Sequence, residues 1–362
     1  MKRFEEQILV TRPYLPELEE FKAGCEEIWR NRYLTNGGPM LQRFTDELAK
    51  YLEVSPDNLL TFVNGTLALE MGFKAMGLEG GEVITTPFTF VATSHALVRI
   101  GAKPIFADVN PETLCLSPEK AEKLITPRTK AIVPVHVYGN ACDVAGFERL
   151  GEKYGLKIIY DAAHAFGTDL HRHGDMSMFS FHPTKLFHSC EGGLLVFKDR
   201  KLKSTLANLK NFAIESETSC TGVGTNAKMN ELQALMGLCC LKKIDELIDY
   251  RRQIHETYKR SFASSSKVKY LDKSGNHAYC PILFDDFATR EKVYWELQEK
   301  CNVFTRRYFY PTLTDFAPYA YAKGTCPIAE DAAARILTLP TYYGLPLADV
   351  EAIARDVIEI VD

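Results

Sequence analysis

Three short segments carry residue types that could act together in chemistry, and each of them follows an apolar run. Asn64-Gly65-Thr66 opens a helical stretch, where backbone amides and a hydroxyl suit a phosphate group. Asp161 follows an apolar strand pattern, so its carboxylate could meet a cationic ligand group. Lys185 stands shortly after another strand pattern, and a partly desolvated lysine can bond covalently to a carbonyl carbon. Taken singly, a turn, a helix cap and a solvated lysine explain the three equally well.

The set is more specific than its members. A phosphate-suited helix start, a carboxylate and a lysine match the needs of pyridoxal 5'-phosphate, which requires a lysine for its aldehyde and a carboxylate for its pyridinium nitrogen. The cofactor also requires a phosphate cradle and an aromatic face against its ring. Phe88 or Phe90, in the segment Pro87–Phe90, could supply that face. The residues therefore favour a pyridoxal-phosphate enzyme.

The elements that must position these residues alternate between strand and helix patterns from about residue 58 to residue 200. Such alternation predicts a mostly parallel sheet covered by helices on both faces, and parallel sheets bind ligands at the carboxyl ends of their strands. We expect an α/β fold with seven strands, which the sequence indicates at Leu59–Val63, Val83–Thr86, Pro104–Ala107, Ala131–Val135, Lys157–Tyr160, Met176–Phe181 and Gly193–Phe197.

The remainder of the chain predicts a smaller α+β domain. One continuous long helix is expected from Met229 to about Phe262, followed by a strand over Tyr279–Phe284, a helix over Thr289–Cys301 and a closing helix over Leu347–Val361. We therefore expect a large cofactor-binding domain over residues 1–240 and a small domain over residues 241–362.

Composition excludes several classes of function. The chain has 362 residues, of which 46% are hydrophobic and 25% are charged, as in ordinary soluble globular proteins. The 43 Lys and Arg against 47 Asp and Glu give a net charge of −4, which argues against binding nucleic acid or an anionic membrane surface. The ten cysteines form no CxxC pair, so no metal site is expected, and no apolar stretch could span a bilayer. We expect a cytoplasmic protein, since no secretory signal precedes these unpaired cysteines.

Several ordered motifs identify a family. The chain resembles the DegT/DnrJ/EryC1/StrS sugar aminotransferases, which are fold-type I pyridoxal-phosphate enzymes. The resemblance runs from Arg32 to Tyr342, and the matching segments are Arg32–Pro39, Asn64–Leu69, Pro87–Thr93, Pro134–Gly139, Asp161–His164, Ser180–Lys185, Glu191–Gly193 and Leu339–Tyr342.

The resemblance implies a role for each matched position. Lys185 would hold the cofactor covalently, and Asp161 would pair with its pyridinium nitrogen. His164 would lie near the ring or its phenolic oxygen, and Phe90 would stack on the ring. Gly65, Thr66 and Ser180 would bind the phosphate.

The resemblance also implies a homodimer with shared active sites. In this family an asparagine of a glycine-asparagine motif reaches the phosphate held by a neighbouring subunit. The motif is Gly224–Met229 here, so Asn226 is the candidate. Thr225, Ala227 and Lys228 depart from the usual flanking residues, so contacts beside Asn226 are not carried over.

The activity that the resemblance implies is transfer of an amino group from L-glutamate to a nucleotide-linked keto sugar. The motifs most resemble enzymes that convert dTDP-4-keto-6-deoxyglucose to dTDP-4-amino-4,6-dideoxyglucose, a precursor of surface polysaccharide such as the O-antigen of lipopolysaccharide. A dTDP-3-keto sugar and a UDP-4-keto sugar are alternative acceptors, and a non-catalytic regulatory homologue is an alternative of another class. A protein that only binds would need no Lys185 and Asp161 pair. Asn36, His188 and Tyr310 are candidate sugar contacts, although ordinary loop polarity explains them equally well.

Overall fold

A computed structural model describes residues 2–271 and 273–362. The strands, in chain order, are β1 Ile8–Leu9, β2 Leu59–Phe62, β3 Glu82–Thr85, β4 Lys103–Phe106, β5 Thr129–Val133, β6 Lys157–Asp161, β7 Met176–Ser180, β8 Gly193–Phe197, β9 Ile214–Ser216, β10 Ser219–Cys220, β11 Val268–Tyr270, β12 Cys280–Phe284, β13 Val303–Phe304 and β14 Ile336–Leu339.

The helices lie between these strands and before and after them. In chain order they are α1 Leu18–Asn31, α2 Pro39–Tyr51, α3 Gly65–Ala75, α4 Val91–Arg99, α5 Pro118–Glu122, α6 Val144–Tyr154, α7 Leu202–Leu209, α8 Glu231–Leu241, α9 Ile244–Phe262, α10 Phe287–Glu296, α11 Pro327–Arg335 and α12 Leu347–Val361. A π-helical turn, Leu297–Cys301, continues α10.

A seven-stranded sheet forms the centre of the molecule, with the strand order β2-β8-β7-β6-β5-β3-β4. The five strands from β7 to β4 run parallel, whereas β8 is antiparallel to both of its neighbours. The register aligns the strand ends, because Gly193 pairs with both Phe62 and Ser180 while Met178 pairs with Asp161. The sheet therefore gathers the ends of β2, β7 and β6 at one edge, and it confirms the predicted seven-stranded sheet.

Both faces of this sheet are buried. Consecutive residues of one strand belong to different apolar clusters: Ile158 packs in one cluster and Ile159 in another. Because side chains alternate across a strand, the two clusters are the two sides of the sheet. Continuous apolar strands are the expected pattern for a sheet covered on both faces.

A third apolar cluster surrounds the smaller sheet β11-β12-β14. It includes residues of α9, α10 and α12 together with Ile8 of β1. Other residues late in the chain, such as Phe309 and Leu313, pack instead in a cluster of the large sheet. The division at residues 240 and 241 remains a prediction, and limited proteolysis can test it.

The expectation of one continuous helix from Met229 to Phe262 is wrong. The chain forms α8 and α9, which are separated at Lys242 and Lys243, and Lys243 leaves the helical conformation with φ −111° and ψ 4°. Helix α8 is apolar on nearly all sides and packs against α1 and α2, whereas α9 is amphipathic and packs against α12. Because the two halves bury against different partners, tertiary packing breaks a helix that no proline or glycine interrupts.

The predicted closing helix at Leu347–Val361 is confirmed. Among residues 2–271 and 273–362, we find no helix with the length and apolar character needed to cross a membrane.

Candidate functional site

A cavity of about 500 Å³ opens at the carboxyl ends of the central strands. Its walls contain seven of the residues that the sequence singled out, namely Gly65, Thr66, Phe90, Asp161, His164, Ser180 and Lys185. Asp161 and Ser180 are the last residues of β6 and β7, and Gly65 begins α3 after β2. The position follows the rule for open α/β sheets, whose ligands bind outside the carboxyl ends of the strands.

Lys185 lies in the loop between β7 and β8, and its Nζ donates a hydrogen bond of 3.4 Å to the hydroxyl of Tyr279. Burial lowers the pKa of Lys185 and the charge of Arg306 lowers it further, while Tyr308 and Asp161 act in the opposite direction. A lysine with a lowered pKa has more of the neutral amine, which is the nucleophilic and basic form. The site therefore favours covalent and proton-transfer chemistry at this nitrogen.

Asp161 is only 4% exposed, and both of its oxygens accept hydrogen bonds. Oδ2 accepts from the hydroxyl of Thr93 at 2.7 Å, and Oδ1 accepts from the backbone amide of Ala163 at 3.1 Å. Burial raises the pKa of Asp161, whereas these two hydrogen bonds and the charge of Lys185 lower it. Such a desolvated carboxylate is suited to a cationic partner in the cavity.

The protonated nitrogen of His164 is fixed by the chain. Its Nδ1 atom accepts the backbone amide of Tyr138 at 3.1 Å, so in the neutral ring the proton must reside on Nε2. Burial first, and then the charge of Lys185, hold the pKa of His164 well below its ordinary value. The centroid of the His164 ring lies 4.5 Å from that of the Tyr279 ring, and the His164 ring packs nearly parallel to the ring of Phe309. His164 is therefore a neutral donor held rigidly in the cavity wall.

The start of α3 provides a place for an anion. Asn64 is the N-cap, and its side chain accepts the amide of Leu67 at 2.8 Å. A Cβ atom on Gly65 would lie 3.1 Å from both the Cβ of Ser180 and the Sδ of Met178, so glycine allows a close approach of α3 to β7 that a side chain would crowd. Backbone amides at a helix start, with the Thr66 and Ser180 hydroxyls nearby, suit a phosphate group.

Three residues of the wall were missed from the sequence: Arg306, Tyr308 and Phe309. The guanidinium of Arg306 donates to the hydroxyl of Tyr308 at 2.7 Å, and Phe309 packs beside His164. The hydroxyl of Tyr138 donates to the backbone carbonyl of Tyr308 and ties this segment to the large sheet. The sequence signal that could have found them is the run of three aromatic residues at positions 308–310, but such a run does not show which residues it contacts.

Three predicted sugar contacts do not lie in this wall. His188 uses both ring nitrogens within the chain, since Nδ1 accepts the amide of Cys190 and Nε2 donates to the carbonyl of Tyr14 at 2.6 Å. Tyr310 packs on the guanidinium of Arg290 at 4.4 Å. Asn36 is exposed in a turn with φ 65°. None of the three lines the cavity of its own chain, and the sugar contacts stay predictions.

Asn226 also lies outside the cavity of its own chain. It is exposed, and its segment forms an isolated bridge to Asn211. The expectation for Asn226 concerned the site of a neighbouring subunit, and it stays a prediction.

The residues of the cavity fit pyridoxal phosphate. Lys185 supplies an amine with a lowered pKa, and Asp161 supplies a buried carboxylate. The close approach of Gly65 to Ser180 leaves backbone and hydroxyl groups for the phosphate, and the half-exposed ring of Phe90 forms a flat wall. The volume lies within the ordinary range of cofactor sites.

The chain matches the model of the DegT/DnrJ/EryC1/StrS aminotransferase family over residues 17–358. It is 40% identical to the dTDP-4-amino-4,6-dideoxy-D-glucose transaminase of Shigella dysenteriae, over 98% of this chain and 100% of that protein. Its fold is similar to that of DesI, which was crystallised in the presence of its TDP-sugar product. The TM-score is 0.92 at 33% identity, covering 100% of this chain and 95% of DesI. It is also similar to Bacillus subtilis NtdA with bound cofactor PMP, with a TM-score of 0.88 at 28% identity, covering 95% of this chain and 82% of that chain.

Proposed function

The chain belongs to the DegT/DnrJ/EryC1/StrS aminotransferase family, and we propose that it transfers the amino group of L-glutamate to dTDP-4-keto-6-deoxyglucose. As a member of this family it is a pyridoxal-phosphate-dependent sugar aminotransferase. The product would be dTDP-4-amino-4,6-dideoxyglucose. The resemblance to the Shigella dysenteriae enzyme over the full length of both chains supports this acceptor.

One observation carries the catalytic part of the proposal. The amine of Lys185 and the carboxylate of Asp161 line the same cavity. Burial there lowers the pKa of Lys185 and raises the pKa of Asp161. Functional sites concentrate such paired shifts, because acids and bases must be tuned to their tasks.

The residues would divide the work as follows. Pyridoxal phosphate, when bound, withdraws electrons from the bond to hydrogen at the amino-bearing carbon of the substrate. Asp161 provides the negative charge that favours a protonated ring nitrogen, and His164 donates from Nε2. Lys185, with its lowered pKa, would take a proton from the amino-bearing carbon of the substrate and deliver it to the cofactor carbon. Tyr279 receives the hydrogen bond of the free Lys185 amine and thereby orients it.

Arg306 supports an acidic amino donor. Its guanidinium lies in the cavity wall, and within residues 2–271 and 273–362 it forms no ion pair with a carboxylate, whereas the adjacent Arg307 pairs with both oxygens of Glu291. A guanidinium recognises a carboxylate with two parallel hydrogen bonds. We assign Arg306 to a carboxylate of L-glutamate.

The catalytic assignment is tested with Lys185→Ala. The wild-type protein, purified with pyridoxal phosphate, should show a visible absorbance band, and Lys185→Ala should lose both this band and turnover. Lys198→Ala is the matched control, since Lys198 is an exposed lysine just after β8. Normal transamination by Lys185→Ala would refute the assignment of the catalytic lysine.

The acceptor is tested by a panel of dTDP- and UDP-linked 3-keto and 4-keto sugars with L-glutamate. We expect the largest kcat/KM for dTDP-4-keto-6-deoxyglucose. Equal rates on all acceptors would overturn this choice, and a higher rate on a 3-keto or UDP-linked sugar would select that alternative.

A homodimer with shared sites is the proposed assembly, with Asn226 completing the phosphate site of the partner. The exposure of Asn226 and its absence from the wall of its own cavity support this arrangement. Lys185→Ala and Asn226→Ala should each be impaired, and mixing and reassociating them should restore about a quarter of wild-type activity, because half the dimers would carry one intact site. No recovery on mixing would show that each chain builds its site alone.

We place the reaction in the cytoplasm, a choice supported by buried free thiols such as Cys239 and Cys326. A nucleotide-linked amino sugar is activated for glycosyl transfer, which suits the synthesis of surface polysaccharide such as O-antigen.

A further inference from the structure

The hydroxyl of Thr93 is the closest polar contact of Asp161. Thr93 lies in the first turn of α4 and is fully buried, with 0% of its surface exposed. Its Oγ1 lies 2.7 Å from Oδ2 of Asp161, 3.2 Å from Oγ1 of Thr89 and 3.4 Å from the carbonyl of Phe90. Three acceptors therefore surround one hydroxyl, which has a single hydrogen.

The chemistry of the partners decides where that hydrogen points. An ionised carboxylate can only accept, and a charged acceptor forms the shorter and stronger bond. The 2.7 Å contact is the shortest of the three, so Thr93 donates to Asp161. The hydroxyl of Thr89 is then free to donate to Thr93, which gives a chain from Thr89 through Thr93 to the carboxylate. Hydrogen bonds in such a chain strengthen one another.

The same hydroxyl joins two walls of the cavity. Asp161 ends β6, while Phe90 is the residue immediately before α4. A bond from the first turn of α4 to the end of β6 fixes the carboxylate relative to the aromatic face. The backbone amide of Ala163 holds the other oxygen, so rotation of the carboxylate is restricted at both ends.

We propose that Thr93 is a positioning residue of the amino transfer, whose hydroxyl keeps Asp161 ionised and oriented toward the cofactor ring. The inference rests on the proposed function, in which Asp161 faces the ring nitrogen. Loss of the hydroxyl makes Asp161 more basic, so the carboxylate draws the proton away from the ring nitrogen. The ring then withdraws electrons less strongly, and proton removal by Lys185 slows.

The test compares Thr93→Val with Thr93→Ser in the enzyme loaded with pyridoxal phosphate labelled with ¹⁵N in its ring. Valine keeps the shape and loses the hydrogen bond, whereas serine keeps the hydroxyl. We expect Thr93→Val to lower kcat by about ten- to hundredfold, the effect of losing one hydrogen bond to a charged group. The KM for L-glutamate should stay within about twofold, since Thr93 makes no substrate contact in this proposal. The ¹⁵N resonance should move toward that of an unprotonated ring, and Thr93→Ser should restore both values.

Ser94→Ala is the matched control. Ser94 is the next residue of α4 and is buried, and its hydroxyl has no hydrogen-bond partner among the described residues. It should retain wild-type kcat and the wild-type ¹⁵N resonance. If Thr93→Val does not fold, Thr93→Ala removes the same hydroxyl and carries the same expectation.

A Thr93→Val enzyme with unchanged kcat and unchanged ¹⁵N resonance would overturn the inference. A loss of kcat with an unchanged resonance would overturn it as well, because Thr93 would then act only on the packing of α4. If the wild-type protein binds the cofactor without transaminating any keto sugar, the proposed function fails, whereas the ¹⁵N comparison still decides the role of Thr93.

Discussion

The amine of Lys185 and the hydroxyl of Tyr279 lie 3.4 Å apart, although 94 positions separate them in the chain. Tyr279 immediately precedes β12 of the smaller sheet, whereas Lys185 follows β7 of the central sheet. Burial raises the pKa of Tyr279, so its hydroxyl remains neutral and accepts the N–H of Lys185. A residue beside the small sheet thereby orients the reactive amine of a residue beside the central sheet.

Replacing Tyr279 by phenylalanine removes this acceptor while keeping the ring. We expect Tyr279→Phe to reduce kcat by about three- to tenfold, because one hydrogen bond that orients the amine is lost. Steady-state kinetics with L-glutamate would measure the change. Tyr154→Phe is the control, since its hydroxyl bonds to Glu122 on the surface. An unaltered kcat in Tyr279→Phe would show that Lys185 needs no such support.

The pH dependence of the reaction with L-glutamate should reflect the lowered pKa of Lys185. Lys185 acts as a base only when neutral, so the rate should rise with pH through its pKa, at lower pH than an ordinary lysine amine would give. Because the charge of Arg306 lowers this pKa, Arg306→Gln should move the rising limb to higher pH.

Single-turnover rates measured across the pH range would show this displacement. Arg307→Gln is the control, because the charge of Arg307 is already paired with Glu291. If the rate of Arg306→Gln rises over the same pH range as the rate of wild type, the charge of Arg306 does not influence the pKa of Lys185.

The stability of α2 should depend on a residue far away in the sequence. Glu231 of α8 is 1% exposed, and its carboxylate accepts the amides of Met40 at 2.8 Å and Leu41 at 3.1 Å. Gly38 at the N-cap has no side chain to do so. We expect Glu231→Ala to lower the free energy of unfolding by about 2–3 kcal/mol, because two buried amides lose their acceptor.

Urea unfolding followed by circular dichroism would measure this loss. Glu47→Ala, which removes an exposed carboxylate from α2 itself, should stay within about 0.5 kcal/mol of wild type. Equal stabilities of the two variants would argue that Glu231 does not cap α2.

Lys210 should make the stability depend on pH in the alkaline range. Burial, followed by the charges of Lys228 and Lys203, lowers the pKa of Lys210 to about 8, against an ordinary value of 10.5. Between these two values the unfolded chain binds the proton and the folded chain does not, so the contribution of Lys210 to stability should rise with pH in this window. Below about pH 8 both states are protonated and the penalty is constant.

Lys210→Met removes the titrating group, so the melting temperature of wild type relative to Lys210→Met should increase between pH 8 and pH 10.5. Thermal unfolding at several pH values would compare the two proteins. Identical pH profiles would show that Lys210 is solvated and that its pKa is not lowered in the folded protein.

The central sheet and half of the site follow from local sequence patterns. The interior of Lys157–Asp161 and the whole of Gly193–Phe197 are apolar runs, which a doubly covered sheet requires, and the residues that end or follow such runs meet at one edge. Thus Asp161 and Lys185 could be placed together before any coordinates were known.

The other half of the site depends on contacts between distant segments, which carry no local pattern. Arg306 and Phe309 lie between short elements without periodicity, so nothing in the sequence joins them to His164. His188 was a candidate sugar contact outside the matched motifs, and in the structure its ring bonds to the carbonyl of Tyr14 and does not line the cavity. The break between α8 and α9 also arises from packing against different helices rather than from a helix-breaking residue.

The span of the cavity wall, from Gly65 at the start of α3 to Phe309 after β13, sets the order of events during biosynthesis. A nascent chain that has emerged only through β8 contains the lysine and the carboxylate but not Tyr279, Arg306 or Phe309. Long-range contacts of this kind form late, after the local elements. The complete cavity therefore exists only once nearly the whole polypeptide has been made, since its wall draws on residues from the segment after β2 through to the segment after β13.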